Sequence, residues 1–249
     1  MNTQKQLFGM AALLAASLVS TQADTLTQWT FEGSVGTPAI GTGTAALIGG
    51  TTATFATGNG GGQGWNTSTY QTQGAGSGTA GVQFLAGTFG FENITLSFDQ
   101  RASGTASRWA QVDYTVDGGA NWVTGFWNNS GGLVQDTFVS FNVDFSSISG
   151  AANNADFGVR IVSIFSPLAF DQNATLADYA GNTAYMRANA AASYTPGGGT
   201  ATGDYGTSGT WRFDNVTLSG VAVPEPTALS LGAIGLATLI FRQRLVARR

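Results

Sequence analysis

Between residues 24 and 220, apolar and aromatic side chains recur at every second position in short runs, separated by clusters of Gly, Thr, Ser and Asn. Ile94-Thr95-Leu96-Ser97-Phe98 alternates without a break, as do Phe141, Val143 and Phe145. Such alternation marks a strand with one buried and one wet face. The pattern predicts eight strands: Leu26–Phe31, Gly81–Leu85, Ile94–Arg101, Ser107–Val116, Trp122–Trp127, Phe138–Phe145, Phe157–Phe165 and Trp211–Gly220. In the last of these the alternation slips by one position, from Phe213 to Val216 and Leu218. No stretch of this region has helical periodicity. The expected fold is all-β, an antiparallel two-sheet jelly-roll sandwich over residues 24–220.

Two segments do not read as strands. Gly58–Gly78 surrounds Trp65 and Tyr70 with Gly, Gln, Thr and Asn, and Ser166–Thr210 holds Tyr179, Tyr185, Tyr194 and Tyr205, four of the six tyrosines. Long ordered loops on a β scaffold commonly carry binding residues, which makes these six aromatics candidate ligand contacts. Solvated insertion is the alternative reading.

Composition narrows the chemistry. There is no cysteine and no histidine, so disulfides, thiol nucleophiles and Ser-His-Asp triads are excluded, and soft or borderline metals lose their usual ligands. Between Asp24 and Val223 five arginines face thirteen carboxylates, a balance of about −8, with no lysine. Such a surface repels phosphate backbones, so no nucleic-acid partner is expected.

The ends carry a different pattern. Lys5 followed by the apolar run Leu7 to Val19 and then Thr21-Gln22-Ala23 reads as a signal peptide, residues 1–23, cleaved after Ala23. At the other end, residues 221–249 contain Pro224-Glu225-Pro226, the uncharged run Thr227 to Phe241, and Arg242, Arg244, Arg248 and Arg249. Two prolines make a rigid extended breaker. A helix over the apolar run would be about 22 Å long, enough to span with local thinning and snorkelling. The arginines would hold its end cytoplasmic and leave the domain outside.

This tail resembles the PEP-CTERM sorting signal. The resemblance implies an exosortase, a membrane cysteine protease, as processing partner. Pro224, Glu225 and Pro226 would be its recognition residues, and the tail would be a single transmembrane helix that anchors the chain until cleavage. The implied destination is the cell surface, outer membrane or extracellular matrix of an exopolysaccharide-producing bacterium.

Two further motifs lie inside the domain. Thr115-Val116-Asp117-Gly118-Gly119-Ala120-Asn121-Trp122 resembles an Asp-box, in which Asp117 accepts turn N–H bonds, Gly118 and Gly119 allow positive φ and Trp122 folds back over the hairpin. It occurs once, which argues against a propeller and for a structural turn. Trp29-Thr30-Phe31-Glu32-Gly33 and Trp211-Arg212-Phe213-Asp214-Asn215 resemble the first and last strands of jelly-roll domains related to carbohydrate-binding modules. That resemblance implies that these strands pair, and that Glu32, Asp214 and Asn215 are candidate ligands of a structural calcium, a hard cation suited to oxygen donors. A plain backbone-bonding role for Asp214 is the alternative.

No spacing singles out a carboxylate pair among Asp99, Asp113, Asp117 and Asp144, so catalytic residues are not assigned and no enzyme activity is expected. The expected function is that of a non-catalytic exported protein whose sandwich binds extracellular polysaccharide by stacking sugars on Trp or Tyr rings. The alternatives are a purely structural or adhesive surface domain and a glycan-active hydrolase.

Overall fold

The structure, a computed structural model, describes residues 22–127, 132–133, 135–166, 185–189 and 205–223. Residues 1–21 of the expected leader and residues 224–249 of the expected tail, with the Pro-Glu-Pro triplet and the four arginines, lie outside the described residues, as do Tyr179 and Tyr194; Val221 and Ala222, read above as the start of the tail, are strand.

Within the unit Ala23–Val223 the described residues form eleven strands: β1 (Asp24–Trp29), β2 (Thr44–Ile48), β3 (Thr52–Thr57), β4 (Gln63–Ser68), β5 (Gly81–Leu85), β6 (Phe91–Ala102), β7 (Ala110–Thr115), β8 (Val123–Trp127), β9 (Phe138–Asp144), β10 (Gly158–Ser163) and β11 (Trp211–Ala222). A single 3-10 turn, Glu32–Ser34, follows β1. One sheet runs β3-β4-β11-β6-β9, with β1 also on β11; the other runs β2-β5-β10-β7-β8. Every pairing between these strands is antiparallel. The architecture is thus an all-β sandwich of two antiparallel sheets.

The opening and closing strands do pair, Asp24 to Trp29 lying against Gly220 to Val216. β11 has β6 along one side for its whole length. On its other side β4 covers Trp211–Phe213 and β1 covers Val216–Gly220. The change of neighbour falls at Asp214 and Asn215, where the register shifts and Asn215 takes φ +50°. The slipped alternation between Phe213 and Val216 is the sequence trace of this bulge.

Aromatics fill the space between the sheets. Trp29 meets Phe84 at 5.0 Å between ring centroids, Trp65 stacks on Phe31 at 5.5 Å, and Phe145 meets Phe157 at 5.4 Å. Trp29, Phe31, Phe145, Phe157, Trp211 and Phe213 are all buried.

Three strands were not expected. β2 and β3 are short edge strands, TAALI and TATFAT, in which alanines interrupt the strand-favouring Thr, Ile and Phe and no clean alternation of large apolar residues appears. β4 corrects the reading of Gly58–Gly78 as loop: Gly64 lies flat against β11, and Trp65 and Thr67 point inward. At the other extreme, Ser107–Trp109 was expected to be strand, but β7 starts only at Ala110.

Candidate functional site

The four described aromatic residues of those first singled out, Trp65, Tyr70, Tyr185 and Tyr205, are buried and form no solvent-facing platform. Trp65 is a core residue between Phe31 and Phe84. Tyr70 is buried against Trp211 at 4.9 Å and bonded to Thr67 Oγ1, with its phenol pushed up by burial. Tyr185 and Tyr205 stack on each other at 4.7 Å, both buried, and their hydroxyls donate to Ala75 O and Gln71 O. Burial raises Tyr185 to about 12 and raises Tyr205 as well. These hydroxyl bonds tie Tyr185 and Tyr205 to the segment that follows β4. The sugar-stacking role expected for Trp65, Tyr70, Tyr185 and Tyr205 therefore gives way to a packing role, because chain segments poor in apolar residues bury the few rings they have.

A different surface carries the polar chemistry. In the second sheet Val82, Phe84, Val112, Val159 and Ile161 face the core, so the residues between them face outward. Gln83, Arg160, Asp113 and Thr124 lie side by side across four strands in one register row. Asp113 is buried although it is on the outer face, because its neighbours cover it. Arg160 Nε donates to Asp113 Oδ2 at 2.7 Å, and Gln111 Nε2 donates to Asp113 Oδ1 at 2.6 Å and to Thr124 Oγ1 at 3.3 Å. Arg160 also lies over the Trp122 ring, 4.9 Å from its centroid. The guanidinium is thus fixed between a carboxylate and an aromatic face, while its terminal nitrogens accept no duty from a described residue. A planar donor clamped in this way binds hydroxyl oxygens at little entropic cost.

Trp122 owes its place to the Asp117 turn. Asp117 accepts from Asn121 N at 2.8 Å, Asn121 Nδ2 at 2.7 Å and Thr115 Oγ1 at 2.7 Å. Those bonds, the backbone N–H of Asn121 foremost, lower Asp117 to about 2. Gly118 and Gly119 take φ +71° and +95°, and the partly exposed Trp122 ring folds within van der Waals reach of Gly119. A residue singled out as structural is therefore also the aromatic edge of the polar row. Gln83, Gln111, Asp113, Thr124 and Arg160 were not singled out as ligand contacts. Their one signal is that Gln83 and Arg160 each interrupt an apolar run and that Gln111 and Asp113 flank Val112.

A second cluster surrounds the β11 bulge. Asp214 Oδ2 accepts from Asn59 N at 2.7 Å and Oδ1 from Asn215 N at 2.8 Å. Asn59 Nδ2 and Asn215 Nδ2 both donate to Asp99 Oδ2, at 3.0 and 2.9 Å, and Ser140 Oγ donates to Oδ1. Glu32 Oε1 accepts from Gln63 N at 3.1 Å. The β3–β4 connection wraps these carboxylates closely, since a Cβ at Gly58 would collide with Asp214 and one at Gly62 with Glu32. Asp214 is raised by burial and by the charges of Asp99 and Glu32, whereas at Asp99 burial is outweighed by the donors, which hold it low. Glu32, Asp214 and Asn215 are thus brought to one place, joined by Asp99 and Asn59. The donors are hard oxygens and fit calcium chemically. Among the described residues, however, no three carboxylates converge as a ligand group, so an ion here would need amide or backbone oxygens or water.

No protein-family model matches the chain, and no curated protein matches it. Solved structures do. The CBM22-1 xylan-binding domain from Paenibacillus barcinonensis is 12% identical over 83% of this chain and 100% of its own, with a TM-score of 0.46. The tandem CBM22-1–CBM22-2 domain of the same organism is 11% identical over 84% of this chain, TM-score 0.48. The CBM22-1–GH10 modules of Clostridium thermocellum endo-1,4-β-D-xylanase 10B are 13% identical over 74%, TM-score 0.42. This chain spans 49% of the tandem domain and 27% of the xylanase modules. At such identities no side chain of the polar row can be carried across from these structures.

Proposed function

We propose that this protein is a non-catalytic, exported surface or matrix protein whose jelly-roll sandwich binds an uncharged polysaccharide along the outer face of the second sheet. The observation that carries the reading is the fixed array of Trp122, Arg160, Asp113, Gln111 and Gln83. It combines one aromatic face with planar amide and guanidinium donors across neighbouring strands, the mixture of apolar surface and oriented polar groups that sugars require. Both Asp113 oxygens are engaged and the group is buried, which suits positioning and leaves nothing to act as acid or base. The acidic balance of the domain disfavours polyanionic chains. Export by the leader, exosortase processing of the tail and a structural calcium at the β11 bulge belong to the same proposal.

Trp122→Ala removes the ring from the row. The expected result is a roughly tenfold or greater loss of affinity, the worth of one aromatic contact at the upper end of its range. Xylan is a first ligand to try, alongside other neutral glycans. Unchanged affinity in this variant contradicts the reading.

A further inference from the structure

At one end of the same sheet face lies a pocket of about 330 Å³, lined by Thr44, Leu85, Gly87, Gly118, Asp156 and Phe157 among others. Thr44, Leu85, Gly158 and Thr115 form the outward row two residues along from Ala46, Gln83, Arg160 and Asp113, so the pocket continues the polar row. We propose that it takes one neutral pyranose ring, a chain end or a branch, of the polysaccharide bound along the face; the polysaccharide part of this statement rests on the functional reading above.

Three observations support the assignment. First, glycines let the backbones around the pocket approach closely. A Cβ at Gly43 would come within 2.8 Å of both Leu85 O and the Trp29 ring, and one at Gly87 within 3.0 Å of Ala155 O, so side chains at these two lining positions would push the walls apart. Second, the walls are tied together and hence preformed. Thr88 N donates to Asn154 O at 2.6 Å, Thr88 Oγ1 to Ala151 O at 2.6 Å, and Gly118 N to Asp156 O at 2.8 Å. The first two bonds stitch the β5–β6 and β9–β10 connections together beside the pocket. Third, the lining matches a sugar ring. Leu85 offers apolar surface to a C–H face, while the threonine hydroxyls and the exposed Asp156 carboxylate, which receives no hydrogen bond from a described residue, accept from ring hydroxyls. The volume is near the lower limit of small-ligand sites. A uronate is disfavoured, because Asp156 is the charged group in the lining.

The test uses the full chain in detergent, labelled on leucine methyls and tryptophan indoles, and titrated with xylose, glucose, galactose, mannose and glucuronate, then with xylohexaose. At least one neutral monosaccharide should shift the Leu85 methyls saturably, and glucuronate should not. Thr44→Trp, at an exposed edge-strand position, should abolish the Leu85 response. Asp156→Ala should weaken it roughly tenfold, as for one hydrogen bond to a charged acceptor. Leu85 unmoved by every neutral sugar, a Leu85 response that survives Thr44→Trp, or an equal response to glucuronate would overturn the proposal. The Trp122 indole reports separately on the face: if xylohexaose moves Trp122 while Leu85 stays still, the pocket proposal fails and the face reading stands, whereas Leu85 responding to a monosaccharide with Trp122 silent towards every oligosaccharide leaves the pocket and removes the face.

Discussion

At the residue scale the sequence reveals what is local and hides what is not. The Asp117 turn is legible because its parts, Thr115, Gly119, Asn121 and Trp122, lie within one stretch of eight residues. The Arg160–Asp113 pair is not legible, because its members are 47 residues apart and only the sheet register joins them. The two cases behave differently on mutation. Arg160→Ala leaves a buried carboxylate without its cation and should destabilise the fold by about 3 kcal/mol in denaturant titrations. A change under about 1 kcal/mol would mean that Gln111 alone satisfies Asp113. Asp117 acts through pH. Its folded value of about 2 lies below the ordinary aspartate value near 3.9, so its contribution to stability is fully present above about pH 4 and fades as pH falls through 2. The difference in melting temperature between wild type and Asp117→Ala should therefore narrow between about pH 4 and 2. A difference that holds constant over that interval contradicts this account.

At the element scale, strands that bury large side chains at every second position were readable, and strands of Ala and Thr were not. β6, β9 and β11 carry Ile94, Leu96, Phe98, Val143, Phe213 and Leu218 into the core. β2 and β3 lie at sheet edges, where Ala and Thr bury too little to give a clear alternation. β4 was misread because Gly64 and polar neighbours masked Trp65, which sits in the core rather than at a ligand. Trp65→Ala should accordingly cost about 3–5 kcal/mol of stability, measured by chemical denaturation, as for other large-to-small core changes. A loss of glycan affinity without loss of stability would restore the original ligand assignment. The bulge in β11 gathers Asp214, Asp99 and Glu32 where β11 exchanges β4 for β1. If the proposed calcium binds there, chelation should lower the melting temperature and Asp214→Ala should abolish that sensitivity, since an ion that binds only the folded state stabilises it by mass action. A melting curve indifferent to chelator would leave the cluster as a metal-free hydrogen-bonded bulge.

At the scale of the whole molecule, three jobs fall to three parts of the chain. The proposed leader exports it, the sandwich carries the proposed polysaccharide face, and the proposed tail positions it for processing. Glu225→Ala should block processing yet keep the chain membrane-anchored, and mass spectrometry of surface-extracted protein checks this; a mature form that still carries Leu229 to Arg249 would make the tail an anchor only. The sandwich was legible as a class because alternation is a whole-chain property. Its outer polar row was not, because no single strand contains it: β5, β7, β8 and β10 each supply one or two polar side chains, and only the assembled sheet aligns them. The most direct test of the account is retention of the full-length protein on immobilised neutral polysaccharides, with Trp122→Ala beside it. The account predicts retention of the wild type on at least one of them and its loss in the variant with the fold intact; absence of retention on every neutral polysaccharide, or equal retention of the variant, would contradict it.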